Sequence, residues 1–325
     1  MKLKTLALCL ASATALVAPA AFAQEIVLKA SHNANADEPY GLGMEKMAEL
    51  LSEATGGKAT IEVYANAQLG DEMESIQGTQ MGTVDIAVTA NETLANFDPD
   101  LSVFSLPFLF KDSLQMDRAL ADPAVVAAVS ESLKAKGFHL ITFFSAGTRH
   151  IMSKSPVETM ADLDGLKIRT MQNPAHVEAF KAFGANPTPM AYTELYGGLE
   201  TGVVDGAEAA NTNYYAKKFY EVAPDWAMVG WLELVAPVIM GEAAYEALPD
   251  DVKAALDEAG TEAGSFQRKA YRDSDDATFG KLEEAGVTVT HPDLAPFREA
   301  AAPIQAEFVQ SDAQKQIFDL VQSVE

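Results

Sequence analysis

The chain is 325 residues long, roughly twice the usual size of a single domain, so two lobes are expected. Its formal net charge of −24 argues against binding to nucleic-acid phosphates or to an anionic membrane surface, because both require a basic patch. A single cysteine excludes a disulfide framework and a cysteine-ligated metal cluster. With 48% hydrophobic and 22% charged residues, the composition indicates a globular protein.

Residues 1–23 have the pattern of a secretory signal peptide. Lys2 and Lys4 precede an apolar run over 6–17, and the small residues around Ala23 predict cleavage after that position. The alternative, an N-terminal membrane anchor, is disfavoured because this run is too short to cross about 30 Å of hydrocarbon. Cleavage would leave 302 residues with a net charge of −26 and no cysteine, which suits the periplasm. No later apolar run reaches membrane-spanning length, so the mature chain is not expected to be membrane-embedded.

Two hydrophobic periodicities alternate from residue 26 onward and predict strands separated by helices. From the N-terminus they predict a strand over 26–30, a helix over 40–55, a strand over 59–65, a helix over 72–81 and a strand over 84–88. A packed loop is predicted over 101–110, followed by helices over 112–121 and 123–136 and a strand over 138–144. The second set of elements comprises a strand over 167–169, a helix over 175–183, a strand over 187–190, a helix over 193–200, a strand over 203–206 and one or two strands over 230–240. Such βαβ units predict an α/β fold with parallel pairing, repeated in two lobes.

A long helical pattern begins at Pro249 and continues without an obvious break until Gly286. At 1.5 Å per residue such a helix is about 55 Å long, enough to lie across both lobes. The acidic cluster Asp273, Asp275 and Asp276 within it lacks the spacing of a calcium loop, so a solvated helix face is expected there. The sequence has no flexible linker rich in Gly and Ser, which predicts short crossings between the lobes.

The sequence lacks recognisable catalytic and cofactor-binding motifs. It has no G-x-S-x-G elbow, no H-x-x-x-H pair among its five histidines, no P-loop and no G-x-G-x-x-G turn. We therefore expect no enzymatic activity, no cofactor and no metal.

Arginines are scarce, and two of them lie at or just beyond predicted strands. The six arginines are at positions 118, 149, 169, 268, 272 and 298. Arg149 and Arg169 are the two near strand ends, where α/β sheets bind ligands, and a guanidinium matches a carboxylate with two parallel hydrogen bonds. The alternative is that each arginine forms a structural ion pair with a nearby acid such as Asp164 or Glu158.

Several ordered motifs resemble the solute-binding proteins of TRAP transporters, of the C4-dicarboxylate-binding DctP type. They are GLKIRTMQNP at 165–174, GANPTPMAYTELYGGLETGVVDGAE at 184–208 and KKFYEV at 217–222, supported by AQLGDEMESIQ, LPFLF and GTRHIMS. The resemblance covers essentially the whole chain after the signal peptide. It implies a two-lobed periplasmic-binding-protein fold with a mixed sheet in each lobe and a long helix spanning both. Lobe I is expected at 24–146 plus 235–274, and lobe II at 147–234 plus 275–325.

The resemblance also implies that an organic acid anion binds between the lobes and is delivered to membrane permease subunits. Arg169 is then expected to clamp the ligand carboxylate with help from Arg149. The other ligand-binding residues implied in this way are Gln172, Tyr192, His32, Asn33 and Asn91. A monomer is expected.

One departure from the family pattern concerns the segment after V-D-G-x-E. An asparagine commonly follows that glutamate, whereas this chain has Ala209 there and asparagines at Asn211 and Asn213. Either asparagine is a candidate replacement, with Trp231 and Glu233 as further possible linings. The remaining alternatives are an exported enzyme with His32 or an acidic pair as base, a sulfonate-binding protein, and a sensory binding protein.

Overall fold

The computed structural model describes residues 25–324. The predicted signal peptide and its cleavage site lie outside this range. Within it, the structure has nine strands: β1 Ile26–Ser31, β2 Ala59–Tyr64, β3 Ile86–Val88, β4 Phe138–Ser153, β5 Lys167–Thr170, β6 Asn186–Pro189, β7 Gly206–Ala209, β8 Asp225–Gly241 and β9 Thr288–Thr290.

Helices cover most of the remaining chain. The α-helices of the described span are α1 Pro39–Thr55, α2 Glu72–Met81, α3 Asn91–Leu94, α4 Ser113–Ala121, α5 Pro123–Ala135, α6 Pro174–Ala182, α7 Leu195–Thr201, α8 Asn211–Ala216, α9 Glu242–Glu246, α10 Asp250–Glu284, α11 Ala295–Phe308 and α12 Asp312–Ser323. Short 3-10 helices lie at Pro99–Ser105, Met160–Leu163, Tyr192–Glu194 and Phe219–Glu221. None of the helices in residues 25–324 combines the length and apolar character needed to cross a bilayer.

The strands form one mixed sheet in the order β2-β1-β3-β8-β4-β7-β5-β6, with β9 paired to β8. Pairing is parallel among β2, β1 and β3 and among β6, β5 and β7, as the βαβ pattern predicts. It is antiparallel where β8 meets β3 and β4, and where β4 meets β7. The predicted α/β class with mixed pairing is confirmed. The difference is that hydrogen bonds join the sheets of the two lobes into one continuous path.

Two long strands, β4 and β8, connect the lobes. Sequence patterns predict a strand over only 138–144, whereas β4 is 16 residues long. Its pairing with β8 shifts register between Ser145 and Thr148, where Gly147 has a positive φ of 80°. A bulge of this kind interrupts the alternation of buried and exposed side chains, so the pattern hides the second half of the strand.

The helix α10 is 35 residues long, close to the predicted length. Val252 and Leu256 near its start belong to the larger hydrophobic core, whereas Leu282 near its end belongs to the smaller one, which surrounds α7 and β7. The helix therefore contacts both cores and links them, which confirms the prediction of a helix spanning both lobes.

The strand predicted over 203–206 is displaced along the chain, since β7 begins at Gly206. Gly202, with φ 76°, ends α7 in the left-handed conformation, and the following Val203 lies in the turn with its side chain 52% exposed. A β-branched residue in this exposed turn resembles the start of a strand in sequence.

Candidate functional site

A cavity of about 630 Å³ lies between the two lobes. Its walls include residues that follow the carboxyl ends of strands in both lobes, such as Asn33 after β1, Ala90 after β3 and Met171 after β5. Ligands of α/β sheets bind at this position because the loops after parallel strands meet at one edge. The full lining is Asn33, Ala34, Tyr40, Ala67, Gly70, Asp71, Glu72, Met73, Glu74, Ala90, Thr93, Ala146, Arg149, Arg169, Met171, Gln172, Met190, Ala191, Tyr192, Thr193, Glu194, Asn213 and Leu234.

The two arginines on the lobe II wall share one buried counter-ion, Glu208. Because β7 lies between β4 and β5, it places Glu208 between Arg149 on one neighbouring strand and Arg169 on the other. The Nε of Arg149 lies 2.6 Å from Oε2 of Glu208, and Nη1 of Arg169 lies 3.5 Å from Oε1. Thus the acid that pairs with both arginines is Glu208 rather than Asp164 or Glu158.

Arg149, Arg169 and Glu208 form a buried triad, in which burial and pairing shift the pKa values in opposite directions. Burial disfavours the charged form of Arg149, but the attraction and hydrogen bond of Glu208 outweigh it, so the pKa of Arg149 is raised. Burial also opposes ionisation of Glu208, yet Arg149 holds the pKa of Glu208 below its ordinary value. Burial lowers the pKa of Arg169, whose contact with Glu208 is longer. Two guanidinium groups and one carboxylate leave one unbalanced positive charge, which suits a single ligand carboxylate.

Arg169 keeps hydrogen-bonding capacity toward the cavity. Its Nε donates to the carbonyl of Met190 at 2.9 Å and its Nη1 donates to Glu208, whereas its Nη2 has no hydrogen-bond partner among residues 25–324. The Cζ atom of Arg169 lies 6.0 Å from the ring centroid of Tyr192. The Tyr192 hydroxyl is buried and has no hydrogen-bond partner in the described part of the chain. A guanidinium nitrogen and a hydroxyl are therefore both available to a ligand.

The lobe I wall has the opposite charge, because Glu72 lies at the start of α2. Its Oε1 accepts hydrogen bonds from the amide of Asn33 at 3.2 Å and the backbone N–H of Ala90 at 3.0 Å. Its Oε2 accepts one from the Thr93 hydroxyl at 2.6 Å. Burial raises the pKa of Glu72 to about 7, although the Thr93 hydrogen bond and Arg169 act in the other direction.

Direct contacts between the lobes surround the cavity. Asp71 accepts hydrogen bonds from both the backbone N–H and the hydroxyl of Thr193, at 3.3 Å and 3.0 Å. Lys217 donates to the side-chain oxygens of Asn35 and Asn66, at 2.8 Å and 2.9 Å. These bonds hold the lobes together in the closed arrangement.

Of the nine predicted site residues, six line the cavity and three do not. Those on its walls are Asn33, Arg149, Arg169, Gln172, Tyr192 and Asn213. Asn213 donates to Glu38 at 2.8 Å, and its Oδ1 accepts from Arg149 at 3.4 Å. Between the two asparagines near Ala209, it is thus Asn213 that reaches the cavity.

His32, Asn91 and Asn211 lie outside the cavity lining. Asn91 donates to the carbonyl of Leu101 at 2.9 Å, a contact that ties α3 to the following 3-10 helix. His32 is buried edge-on against Tyr40, and burial followed by the charge of Lys217 lowers its pKa to about 4. The neutral imidazole therefore carries no charge toward an anion at pH 7.

Asn211 takes part in a network with α10. Its amide donates to Asp275 at 3.3 Å, and its Oδ1 accepts from the indole of Trp226 at 3.0 Å. Asp275 also accepts from the backbone N–H of Thr212 at 2.9 Å and is only 9% exposed. The prediction of a solvated face is therefore wrong for Asp275, because α8 packs against this turn of α10. Trp231 and Glu233 are also absent from the lining.

Sequence reasoning missed Glu208 and Glu72 as members of the site. In a chain with 47 acidic residues, a single glutamate gives no signal of its own. Glu208 is the glutamate of the V-D-G-x-E motif, but its pairing with the two arginines depends on the strand order.

Comparisons with known proteins identify the family of this chain. The model of the DctP family, bacterial extracellular solute-binding protein family 7, matches residues 30–312. The 2,3-diketo-L-gulonate-binding periplasmic protein YiaO of Escherichia coli strain K12 is 31% identical over 275 residues, which are 84% of this chain and 84% of that protein.

Solved structures of similar proteins share the fold over nearly their full length. A TRAP periplasmic solute-binding protein from Xanthobacter autotrophicus Py2 with bound β-D-galacturonate has a TM-score of 0.88 at 27% identity, covering 92% of this chain and 100% of that chain. The sugar acid binding protein DctPAm from Advenella mimigardefordensis strain DPN7T in complex with galactonate has a TM-score of 0.88 at 27% identity, covering 93% and 99%. The resemblance inferred from the motifs is confirmed, and the chain belongs to the DctP family of bacterial extracellular solute-binding proteins.

Proposed function

We propose that this protein is the extracytoplasmic solute-binding component of a TRAP transporter and that it binds a sugar acid in the cavity between its lobes. The observation that carries this proposal is the unpartnered Nη2 of Arg169, in a buried triad with one unbalanced positive charge. A carboxylate placed there gains charge-assisted hydrogen bonds from a buried guanidinium, where electrostatic attraction is stronger than in bulk water.

The size and polarity of the cavity support a hydroxylated ligand. Its volume of about 630 Å³ is within the range of small-molecule sites. Side chains of Asn33, Thr93, Thr193 and Gln172 supply amide and hydroxyl groups along its walls. The ligands named for the solved relatives, galacturonate and galactonate, combine one carboxylate with several hydroxyls.

Neither His32 nor the two arginines supply a general base to this cavity. The candidate base His32 does not line the cavity. Burial lowers its pKa to about 4, so its imidazole is neutral at pH 7. Arg149 and Arg169 stabilise a bound anion and transfer no proton, because a guanidinium stays protonated.

Delivery to membrane permease subunits, location in the periplasm and a monomeric state complete the proposal. The lobe division at 146/147, 234/235 and 274/275 is part of it. The register shift between Ser145 and Thr148 supports the first boundary, and the bonds of Asp275 to α8 support the third.

Isothermal titration calorimetry with galactonate, galacturonate, succinate and isethionate tests this function. We expect saturable one-to-one binding of the sugar acids, and NMR spectra of the recovered ligand should show no product. Binding of isethionate alone would favour the sulfonate alternative, and conversion of the sugar acid would favour an enzyme. Absence of binding to all four compounds would refute the proposal.

A further inference from the structure

The cavity has walls of opposite charge. The unbalanced positive charge of the triad lies on the lobe II wall at Arg149 and Arg169, whereas Glu72 lies on the lobe I wall. Arg169 and Glu72 are close enough for the charge of each to influence the pKa of the other. When the carboxylate of a ligand lies at the arginines, the opposite end of the ligand therefore faces the carboxylate of Glu72.

Glu72 has one free acceptor position. Each carboxylate oxygen can accept two hydrogen bonds. Asn33 and the backbone of Ala90 occupy both positions of Oε1, while Thr93 occupies one of the two positions of Oε2. The remaining lone pair of Oε2 can accept a hydrogen bond from a ligand donor, and the three existing bonds fix where that donor must be.

The neighbouring acid, Asp71, has no such capacity. Its Oδ1 accepts from the backbone N–H of Glu72 at 2.8 Å and from the amide of Asn33 at 3.4 Å. Its Oδ2 accepts both bonds from Thr193. Asp71 thus acts in closing the cavity, whereas Glu72 keeps a free acceptor position on the lobe I wall.

We propose, resting on the proposed function, that Glu72 is a specificity-determining residue that accepts a hydrogen bond from a hydroxyl at the ligand end remote from the arginines. The same carboxylate rejects ligands that have a second carboxylate at that end. A hydroxyl can donate to Oε2, whereas a carboxylate has only acceptors and adds a like charge in a partly desolvated site. The site therefore selects hydroxylated monocarboxylates over dicarboxylates of the same length.

Galactonate and galactarate form a matched pair of probes, because they differ only in a terminal CH₂OH group or carboxylate. Calorimetry on the full chain at pH 8, where Glu72 is ionised, should give a dissociation constant for galactonate at least about tenfold lower than for galactarate, which is about 1.4 kcal/mol. Glu72→Gln removes the charge and should bring the two constants within about threefold of each other. Glu72→Asp keeps the charge but withdraws the acceptor, so it should weaken galactonate binding while galactarate stays excluded.

Glu45→Gln is the matched control, since Glu45 is exposed on α1, outside the cavity lining, and its removal changes the net charge equally. The control should keep the wild-type preference. Circular dichroism and thermal melting verify that each variant is folded. Equal affinity of the wild type for galactonate and galactarate would overturn the role of Glu72 while leaving the proposed function intact. Absence of binding to any sugar acid would instead refute the proposed function. An unchanged preference in folded Glu72→Gln would also overturn the inference.

Discussion

Replacing Arg169 with methionine removes the guanidinium that faces the cavity while keeping a side chain of similar length. Arg169 is 3% exposed, and its contacts with Met190 and Glu208 hold it against the wall of the cavity. The methionine fills much of the same space, so the main loss is the pairing of the ligand carboxylate with this charge.

The size of the effect follows from the hydrogen bonds lost. A hydrogen bond to a charged group contributes about 1.5–3 kcal/mol, so loss of two such bonds weakens binding by about 3–6 kcal/mol. That corresponds to a rise in the dissociation constant of about 10²–10⁴-fold. The folded state should survive, because Glu208 keeps its 2.6 Å contact with Arg149. Leaving one acceptor oxygen of Glu208 unpaired lowers the free energy of unfolding by about 1–3 kcal/mol.

Calorimetry with galactonate measures the effect, and urea unfolding measures the stability of the variant. Arg298→Met is the control, because Arg298 is exposed on α11 and contacts the ring of Phe108 at 4.4 Å, away from the cavity. The control should bind like the wild type. A folded Arg169→Met protein whose dissociation constant stays within about threefold of wild type would refute the reasoning.

Three further predictions concern stability and pH. Glu208→Gln leaves two buried guanidinium groups without their shared counter-ion. It should lower the free energy of unfolding by about 3–5 kcal/mol in urea titrations, and ligand should partly restore this loss. Unchanged stability would contradict the pairing of Glu208 with both arginines. Burial, together with the neighbouring Asp71, raises the pKa of Glu72 to about 7. Raising the pH from 6 to 8 therefore ionises Glu72 and should increase the preference for galactonate over galactarate in calorimetry. A preference that does not change with pH would be evidence against this role of Glu72. Gly147→Ala should lower the melting temperature, because an added Cβ would lie 2.3 Å from Cε1 of Tyr271 at a positive φ of 80°; an unaltered melting curve would exclude a tight contact there.

Local patterns in the sequence were sufficient for most elements and for selecting Arg149 and Arg169, which line the cavity. The helix predicted over 72–81 has those bounds in the structure, and α10 ends one residue short of the Ala285–Gly286 break. Helical periodicity and glycine caps act over a few residues, so a sequence pattern records them directly. Arg149 and Arg169 stand out in the sequence because arginine is scarce and both lie near strand ends, whereas the ligand-binding role predicted for them comes from the resemblance to the DctP family.

Features that depend on distant parts of the chain were not predictable in this way. The pairing of Glu208 with both arginines requires the strand order β4-β7-β5, which local periodicity does not encode. Choosing between Asn211 and Asn213 depends on how α8 packs against Asp275 of α10. β4 continues beyond Ser145 through a bulge, which can be recognised only from the register of its pairing with β8.

A crystal structure of the protein grown with galactonate would show directly whether Arg169 binds the ligand carboxylate. We expect electron density for the ligand between the lobes, with its carboxylate about 2.7–2.9 Å from the guanidinium nitrogens of Arg169 and its terminal hydroxyl directed to Glu72. A ligand bound elsewhere, or bound in the cavity with its carboxylate away from Arg169, would show that Arg169 does not bind the ligand carboxylate.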